Sequence, residues 1–189
     1  MSKLFIIGAG GFGKEIANVA KLIGNWAEIN FIDDSVDKSI CVNGIPVIGK
    51  SDILGKLEGD IFIGIGSINA RSIIAKKLKS NKALNFPNII HPSCNWINNN
   101  LNKIGEGNYI GEGVISTVNI TIGDFNLINL GCLISHDSEI GSFCNLMHGV
   151  KITSGAALHN FISVGAGASI ISNIHIQSGT EIEANSVYK

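Results

Sequence analysis

The chain has 189 residues, of which 45% are apolar and only 15% charged, and its net charge is −1. Disorder needs the opposite balance, so the chain must fold around a core, and the near-zero charge argues against a nucleic-acid partner. No apolar run reaches the roughly 18 residues of a spanning helix, and the segment Met1–Gly8 lacks signal-peptide anatomy because glycines interrupt it at once, so no membrane partner and a cytoplasmic location are expected.

The first half reads as strand–helix units. Lys3–Ile7 is a short apolar strand, and the glycine loop Gly8–Gly13 follows it. Ile16, Val19, Ala20 and Ile23 have helical spacing over 12–23, and Gly24-Asn25 ends that helix. Glu28–Ile32 is a second strand closed by Asp33-Asp34. Asp60–Ile65 is a third, followed by Gly66-Ser67 and a helix bearing Arg71, Ile74, Ala75 and Leu78. Alternation of this kind predicts a small parallel sheet, a Rossmann-like α/β half domain over 1–92.

Residues 93–189 have a different texture. Residues 1–92 carry 11 Lys+Arg against 8 Asp+Glu, and the remainder 3 against 7, so the halves have net charges of +3 and −4. The seam lies near the polar run Asn98–Asn100. Glycine is 23 of 189 residues, while proline is only 3, which points to tight turns and a repeat. From Ile104, steps of six give Ile110, Ser116, Ile122, Ile128, Ile134, Ile140, Leu146, Ile152, Leu158, Val164, Ile170, Ile176 and Ile182, aliphatic at all but Ser116. Glycine follows at Gly105, Gly111, Gly123, Gly141 and Gly165. Neither an α-helix nor an alternating strand has a period of six. A solenoid of short strands does, with three hexads to each triangular coil and a repeat of 18.

A β-helix offers few deep pockets of its own, so chemistry must sit on its faces or between subunits. His136-Asp137 interrupts the hexad Ile134–Ile140. A neutral imidazole accepts a proton near neutral pH, and an adjacent carboxylate fixes its tautomer. The alternative is a turn histidine beside an exposed aspartate. Metal is not expected. His136, His148, His159 and His175 are 12, 11 and 16 residues apart, and none forms the close H-x-x-x-x-H pair of β-helix zinc sites. Cys41, Cys94, Cys132 and Cys144 form no C-x-x-C pair, and Cys132 and Cys144 fill small-residue slots of their hexads.

Gly8, Gly10, Gly11 and Gly13 match G-x-G-x-x-G between a strand and a helix, a cradle for phosphate. Asp33, at the end of the next strand, is placed for a ribose hydroxyl. A sheet of only three to four strands is too small for a full dinucleotide fold, so a mononucleotide or nucleotide sugar is expected rather than NAD. Tight helix–strand packing is the alternative role of these glycines. Asn129, seven residues before His136, is expected near the same edge of the coil, or else in a structural asparagine ladder.

The combination is specific: Gly-Ala-Gly-Gly-Phe-Gly-Lys, Ile-Asp-Asp, Ile-Gly-Ile-Gly-Ser with Arg71, Ile-His-Pro-Ser at 90–93, and hexads bearing Asn-Leu-Gly and His-Asp. It resembles, over nearly the whole chain, the sugar O- and N-acetyltransferases related to sialic acid O-acetyltransferase and to the N-acetyltransferases of bacillosamine and perosamine biosynthesis. The resemblance implies that 93–189 is a left-handed β-helix acetyltransferase domain and 1–92 a nucleotide-sugar-binding domain. It further implies a homotrimer, with active sites between neighbouring β-helices and acetyl-CoA along the solenoid groove. His136 would be the general base and Asp137 its acidic support. Gly8, Gly10, Gly11, Gly13, Asp33, Asp34, Gly66, Arg71 and Asn129 would bind substrate. Main-chain groups at Ser154 and Ala166 would meet the thioester and pantetheine. Transfer would be direct, with no covalent enzyme intermediate and no metal.

The chain departs from the family pattern in several places. Phe12 stands where the glycine loop usually has histidine, and Asn145 where a second histidine is common. Glycine is frequent where Ser154 and His159 stand. Relatives continue past the position of Lys189 with a Gly-x-Pro-Ala-like segment that helps cover CoA, and a weaker hold on CoA is expected without it. The expected activity is N-acetylation of a nucleotide-linked 4-amino sugar. The alternatives are O-acetylation of sialic acid or a related sugar and a non-catalytic sugar-nucleotide-binding protein.

Overall fold

The computed structural model describes residues 2–38, 40–96 and 102–189. It divides into two compact units, Met1–Ile89 and Ile90–Lys189. The seam expected at Asn98–Asn100 lies outside the described residues.

In the first unit, β1 (Ser2–Ile7) leads through α1 (Gly11–Ile23) into β2 (Trp26–Ile32). Then come β3 (Cys41–Val42), β4 (Ile45–Gly49), a 3-10 turn over Ser51–Lys56, β5 (Gly59–Ile63), α2 (Ile68–Leu78) and β6 (Leu84–Asn85). The sheet order is β3-β4-β2-β1-β5-β6. All pairs are parallel except β3 with β4. The sheet therefore has six strands rather than three or four. The extra hairpin turns on Asn43-Gly44, both with positive φ, as the tight two-residue connection demands.

The apolar face of α1 buries Ile16, Ala17, Val19 and Ala20. Gly24 ends the helix in the left-handed conformation, its N–H donating to Ala20 O. Packing of α1 on the sheet depends on Gly13, where a Cβ would lie 1.9 Å from Gly8 O. Since β2 and β5 flank β1 on opposite sides, the chain reverses direction across the sheet beside β1, where open α/β sheets hold ligands.

The second unit is a left-handed parallel β-helix built from two-residue strands. Face one stacks Tyr109–Ile110, Leu127–Ile128, Asn145–Leu146, Ser163–Val164 and Glu181–Ile182. Face two stacks Asn95–Trp96, Ile115–Ser116, Leu133–Ile134, Lys151–Ile152, Ser169–Ile170 and Val187–Tyr188. Face three stacks Lys103–Ile104, Thr121–Ile122, Glu139–Ile140, Ala157–Leu158 and His175–Ile176. Partners in register are 18 residues apart, as in Ile110 with Ile128 and Ile134 with Ile152. From Ile110 to Ile182 the second residue of each strand points inward, and with Ser116 as the polar exception these residues form one continuous core. Ser116 occupies an inward position too. It is fully buried and its hydroxyl has no hydrogen-bond partner.

Each corner turns on a residue with positive φ. At the corner between faces two and three these are Asn119, Asp137, Gly155 and Asn173. Between faces three and one they include Phe125, Phe143 and Phe161, whose rings stack 5.3 Å apart. An asparagine ladder runs beside them. Asn108 Oδ1 accepts from Asn126 N, and Asn126 Oδ1 accepts from Cys144 N. Asparagine ladders do occur, but Asn129 is not part of this one.

Candidate functional site

The carboxyl ends of β1, β2 and β5 in the first unit border a cavity of about 670 Å³. That lies within the usual range for small-ligand sites, roughly 300–1,000 Å³. Gly8, Gly10, Gly11, Asp33, Asp34 and Gly66 line it, together with Phe12. The glycines divide by role. Gly8 has φ +96°, and a Cβ there would lie 3.0 Å from Gly64 O; with Gly13 it lets α1 meet the sheet. A Cβ at Gly10, Gly11 or Gly66 would meet nothing within 4 Å, so these keep space open on the cavity side. Gly10 caps α1 without a side-chain bond, leaving the helix's first N–H groups facing the loop.

Asp33 and Asp34 are both engaged by backbone. Asp33 Oδ2 accepts from Ala9 N and Oδ1 from Ser35 N, each at 2.8 Å, so Asp33 clasps the glycine loop. Asp34 Oδ1 accepts from Ser51 N at 2.8 Å, and this bond holds its carboxyl below the usual carboxylate range, aided by Lys50 and Lys77. Arg71 does not line the cavity. It is 1% exposed and its Nη1 donates to Ile65 O and Gly66 O, clasping the loop after β5 from behind. Ser51 and Lys77 line the cavity and were not anticipated. Lys77 supplies a cation to it; its signal was a lysine pair, Lys76-Lys77, in a helix that follows a glycine-rich strand end.

In the second unit, His136 and Asp137 occupy the turn between faces two and three. His136 Nδ1 lies 2.7 Å from Asp137 Oδ2, and both side chains are more than half exposed. Asn119 Nδ2 donates to Asp137 Oδ1 at 2.9 Å. Donors from His136 and Asn119 hold the Asp137 carboxyl below the usual range, so it is ionised at neutral pH. In the neutral imidazole, an ionised Asp137 selects the tautomer with Nδ1 protonated, which leaves Nε2 as acceptor. Ser154, one coil further on, places its Oγ 3.0 Å from that Nε2. Asn119 was missed in the sequence, although a step of 18 back from Asp137 finds it.

Asn129 does not share that edge. It follows Ile128, in the corner between faces one and two, where its Oδ1 accepts from Leu130 N. Ala166 follows Val164 in the same corner, two coils on, and its carbonyl accepts from Asn185 N. Within one chain, face two therefore separates Asn129 and Ala166 from His136, Asp137 and Ser154. Burial pushes the Cys94 and Cys132 thiols up to about 11, which suits packing rather than nucleophilic chemistry. Among the described residues no group of three or more His, Cys, Asp or Glu could hold a metal, and no helix is long and apolar enough to cross a membrane.

Residues 3–78 match the family model described as the PglD N-terminal domain. No curated protein matches the chain in sequence. Solved structures share its fold, among them the following. The acetyltransferase domain of PglB from Neisseria gonorrhoeae FA1090, in complex with acetyl coenzyme A, is 25% identical over 98% of this chain and 97% of that one, with a TM-score of 0.70. A mutant of GDP-perosamine N-acetyltransferase from Caulobacter crescentus, in complex with CoA and GDP-perosamine, is 22% identical over 98% and 95%, with a TM-score of 0.78. WeeI from Acinetobacter baumannii AYE is 23% identical over 100% and 92%, with a TM-score of 0.86.

Proposed function

We propose, from the premise that residues 3–78 belong to the family of PglD N-terminal domains, that the chain is an acetyl-CoA-dependent N-acetyltransferase acting on a nucleotide-linked amino sugar. The observation that carries the chemistry is the His136–Asp137 pair, with Nε2 as acceptor. Likeness to an acetyltransferase domain that binds acetyl coenzyme A, and to an enzyme that binds CoA and GDP-perosamine, supports the choice of both substrates.

The nucleotide part belongs in the cavity bordered by Gly8, Gly10 and Gly11. Diphosphate oxygens suit the N–H groups at the start of α1 and the Lys77 ammonium. On the β-helix, the neutral sugar amine displaces the Ser154 hydroxyl from His136 Nε2 by rotation of the serine side chain. The amine nitrogen attacks the thioester carbonyl while Nε2 takes its proton. Asp137 stabilises the imidazolium, and a main-chain N–H at the Ser154 turn is the group we assign to the oxyanion. The tetrahedral intermediate then expels CoA, whose sulfur receives the proton from His136.

The assembly we propose is a homotrimer. Asn129 and Ala166 lie one corner away from His136, so only two copies of the chain can bring these two sets of residues to one site. Face two, between the corners, exposes Ile115 and Leu133, and Leu130 and Met147 are exposed at its edge with face one, an apolar surface of the kind subunits cover. The compartment we assign is the cytosol, which suits four free cysteines.

The test follows CoA release from acetyl-CoA with UDP-, GDP- and dTDP-4-amino sugars and with sialic acid as acceptors. Turnover with a nucleotide amino sugar, abolished in His136→Ala with nucleotide-sugar binding retained, is the expected result. Turnover with sialic acid alone would replace the N-acetyl reading by O-acetylation. Undiminished turnover in His136→Ala would remove His136 from the mechanism.

A further inference from the structure

We propose that Ser154, His136 and Asp137 form a Ser-His-Asp triad, with Ser154 Oγ as an acyl nucleophile. It would give the chain a second activity, hydrolysis of activated acetyl esters through an acetyl-serine. Three side chains stand in the order such a triad needs. Asp137 Oδ2 is 2.7 Å from His136 Nδ1, and His136 Nε2 is 3.0 Å from Ser154 Oγ. With Nδ1–H donating to the carboxylate, the Ser154 hydroxyl donates to Nε2, and the imidazole is poised to take that proton.

The arrangement is fixed by backbone. Gly155 N donates to His136 O at 3.1 Å, and Asn173 N donates to Ser154 O at 3.0 Å, so both turns sit in the solenoid ladder. Serines of this column do not all choose the same partner one coil back. Ser172, one coil beyond Ser154, donates instead to Thr153 Oγ1 at 3.2 Å. Ser154 is only partly buried and His136 is more than half exposed, so a small ester can reach both. The family resemblance implies only a main-chain role for Ser154.

The chemistry balances without a further reactant. Ser154 Oγ bonds to the acetyl carbonyl carbon and its proton passes to His136 Nε2. The tetrahedral intermediate collapses, the bond to the leaving alcohol or thiol breaks, and that group takes the proton from His136. Water then attacks the acetyl-serine and gives its proton to Nε2. Acetate departs as Ser154 Oγ recovers the proton. When a sugar amine occupies Nε2, Ser154 is turned aside and the acetyl group goes to nitrogen, so the two activities compete for one base.

The inference stands on the geometry of one corner, so its test uses p-nitrophenyl acetate, which needs neither the CoA site nor the sugar site. The full chain should release nitrophenolate in a burst of one equivalent, and peptide mapping should find one acetyl group on Ser154. Ser154→Ala and His136→Ala should each lower release by about 10²-fold or more and remove the adduct. Asp137→Asn should lower it comparably; asparagine already holds the same left-handed turn at Asn119 and Asn173, so this variant keeps the fold. Undiminished release in Ser154→Ala, or acetyl found on another residue, would overturn the triad. A burst from a chain that acetylates no sugar would keep the triad and overturn the transferase reading instead.

Discussion

Asn119 and Asp137 stand one coil apart at the same corner, both with left-handed backbone, and Asn119 Nδ2 donates to Asp137 Oδ1 at 2.9 Å. A turn residue that holds a left-handed backbone thus also orients the carboxylate paired with His136, the base we propose. Asn119→Ala should lower kcat by about fivefold and leave KM unchanged, the most an exposed charged contact of this kind contributes. The sign of its pH effect is fixed. Asp137 has a depressed folded pKa, so its stabilisation is present above its unfolded value and is lost as pH falls through the depressed one. The Tm difference between wild type and Asn119→Ala should be constant near neutrality and narrow in acid to the pH-independent cost of holding alanine in the left-handed turn.

The glycine loop separates packing from binding. Gly13→Ala places a Cβ 1.9 Å from Gly8 O and should cost about 3 kcal/mol, lowering Tm by roughly 6–12 °C. Gly10→Ala meets nothing within 4 Å and its φ of −71° suits alanine, so Tm should hold. Nucleotide-sugar affinity, measured by calorimetry, should fall about tenfold or more in that variant because Gly10 lines the cavity beside the N–H groups we assign to phosphate.

Ser116 is a defect in the solenoid core. Its hydroxyl is fully buried and has no partner, opposite Ile134 in the ladder. Ser116→Ala removes that unmet polar group and should stabilise by about 1 kcal/mol, raising Tm by about 2–4 °C in a thermal melt. A lower Tm would show that the hydroxyl has a partner after all.

The cysteines should react unequally. Cys41 is exposed, whereas Cys132 is buried and Cys94 partly so, with thiols pushed up to about 11. At pH 8 a thiol reagent should modify Cys41 quickly and the other three only on denaturation, as resolved by peptide mass spectrometry.

The period of six was legible because every coil repeats the same steric demand: an aliphatic residue inward, and glycine where neighbouring turns crowd. Gly141, for example, has no room for a Cβ beside His159 O. The hairpin at Asn43-Gly44 was missed: Asn-Gly is a turn dipeptide, but the strands it joins are too short to carry a pattern. Arg71 illustrates what a motif cannot tell. The resemblance implied substrate contact, whereas burial and two carbonyl partners make it a clasp. The Ser154–His136 contact needed more than spacing. A step of 18 brings the residues together, but the partner a serine takes one coil back is settled by rotamer, as Ser172 shows by donating to Thr153 and not to Ser154.

The ladder also acts as a ruler. His136 and Ser154 owe their approach to the strand spacing, about 4.8 Å per coil, and not to any loop shaped for the purpose. A single-residue insertion between them would slip every side chain beyond it and separate the pair. Gain or loss of a whole 18-residue coil elsewhere would leave both in step. Diversification of this site is therefore channelled into point changes at corners and duplication of entire turns, while loop-length variation, the usual route to new specificity, is closed to it.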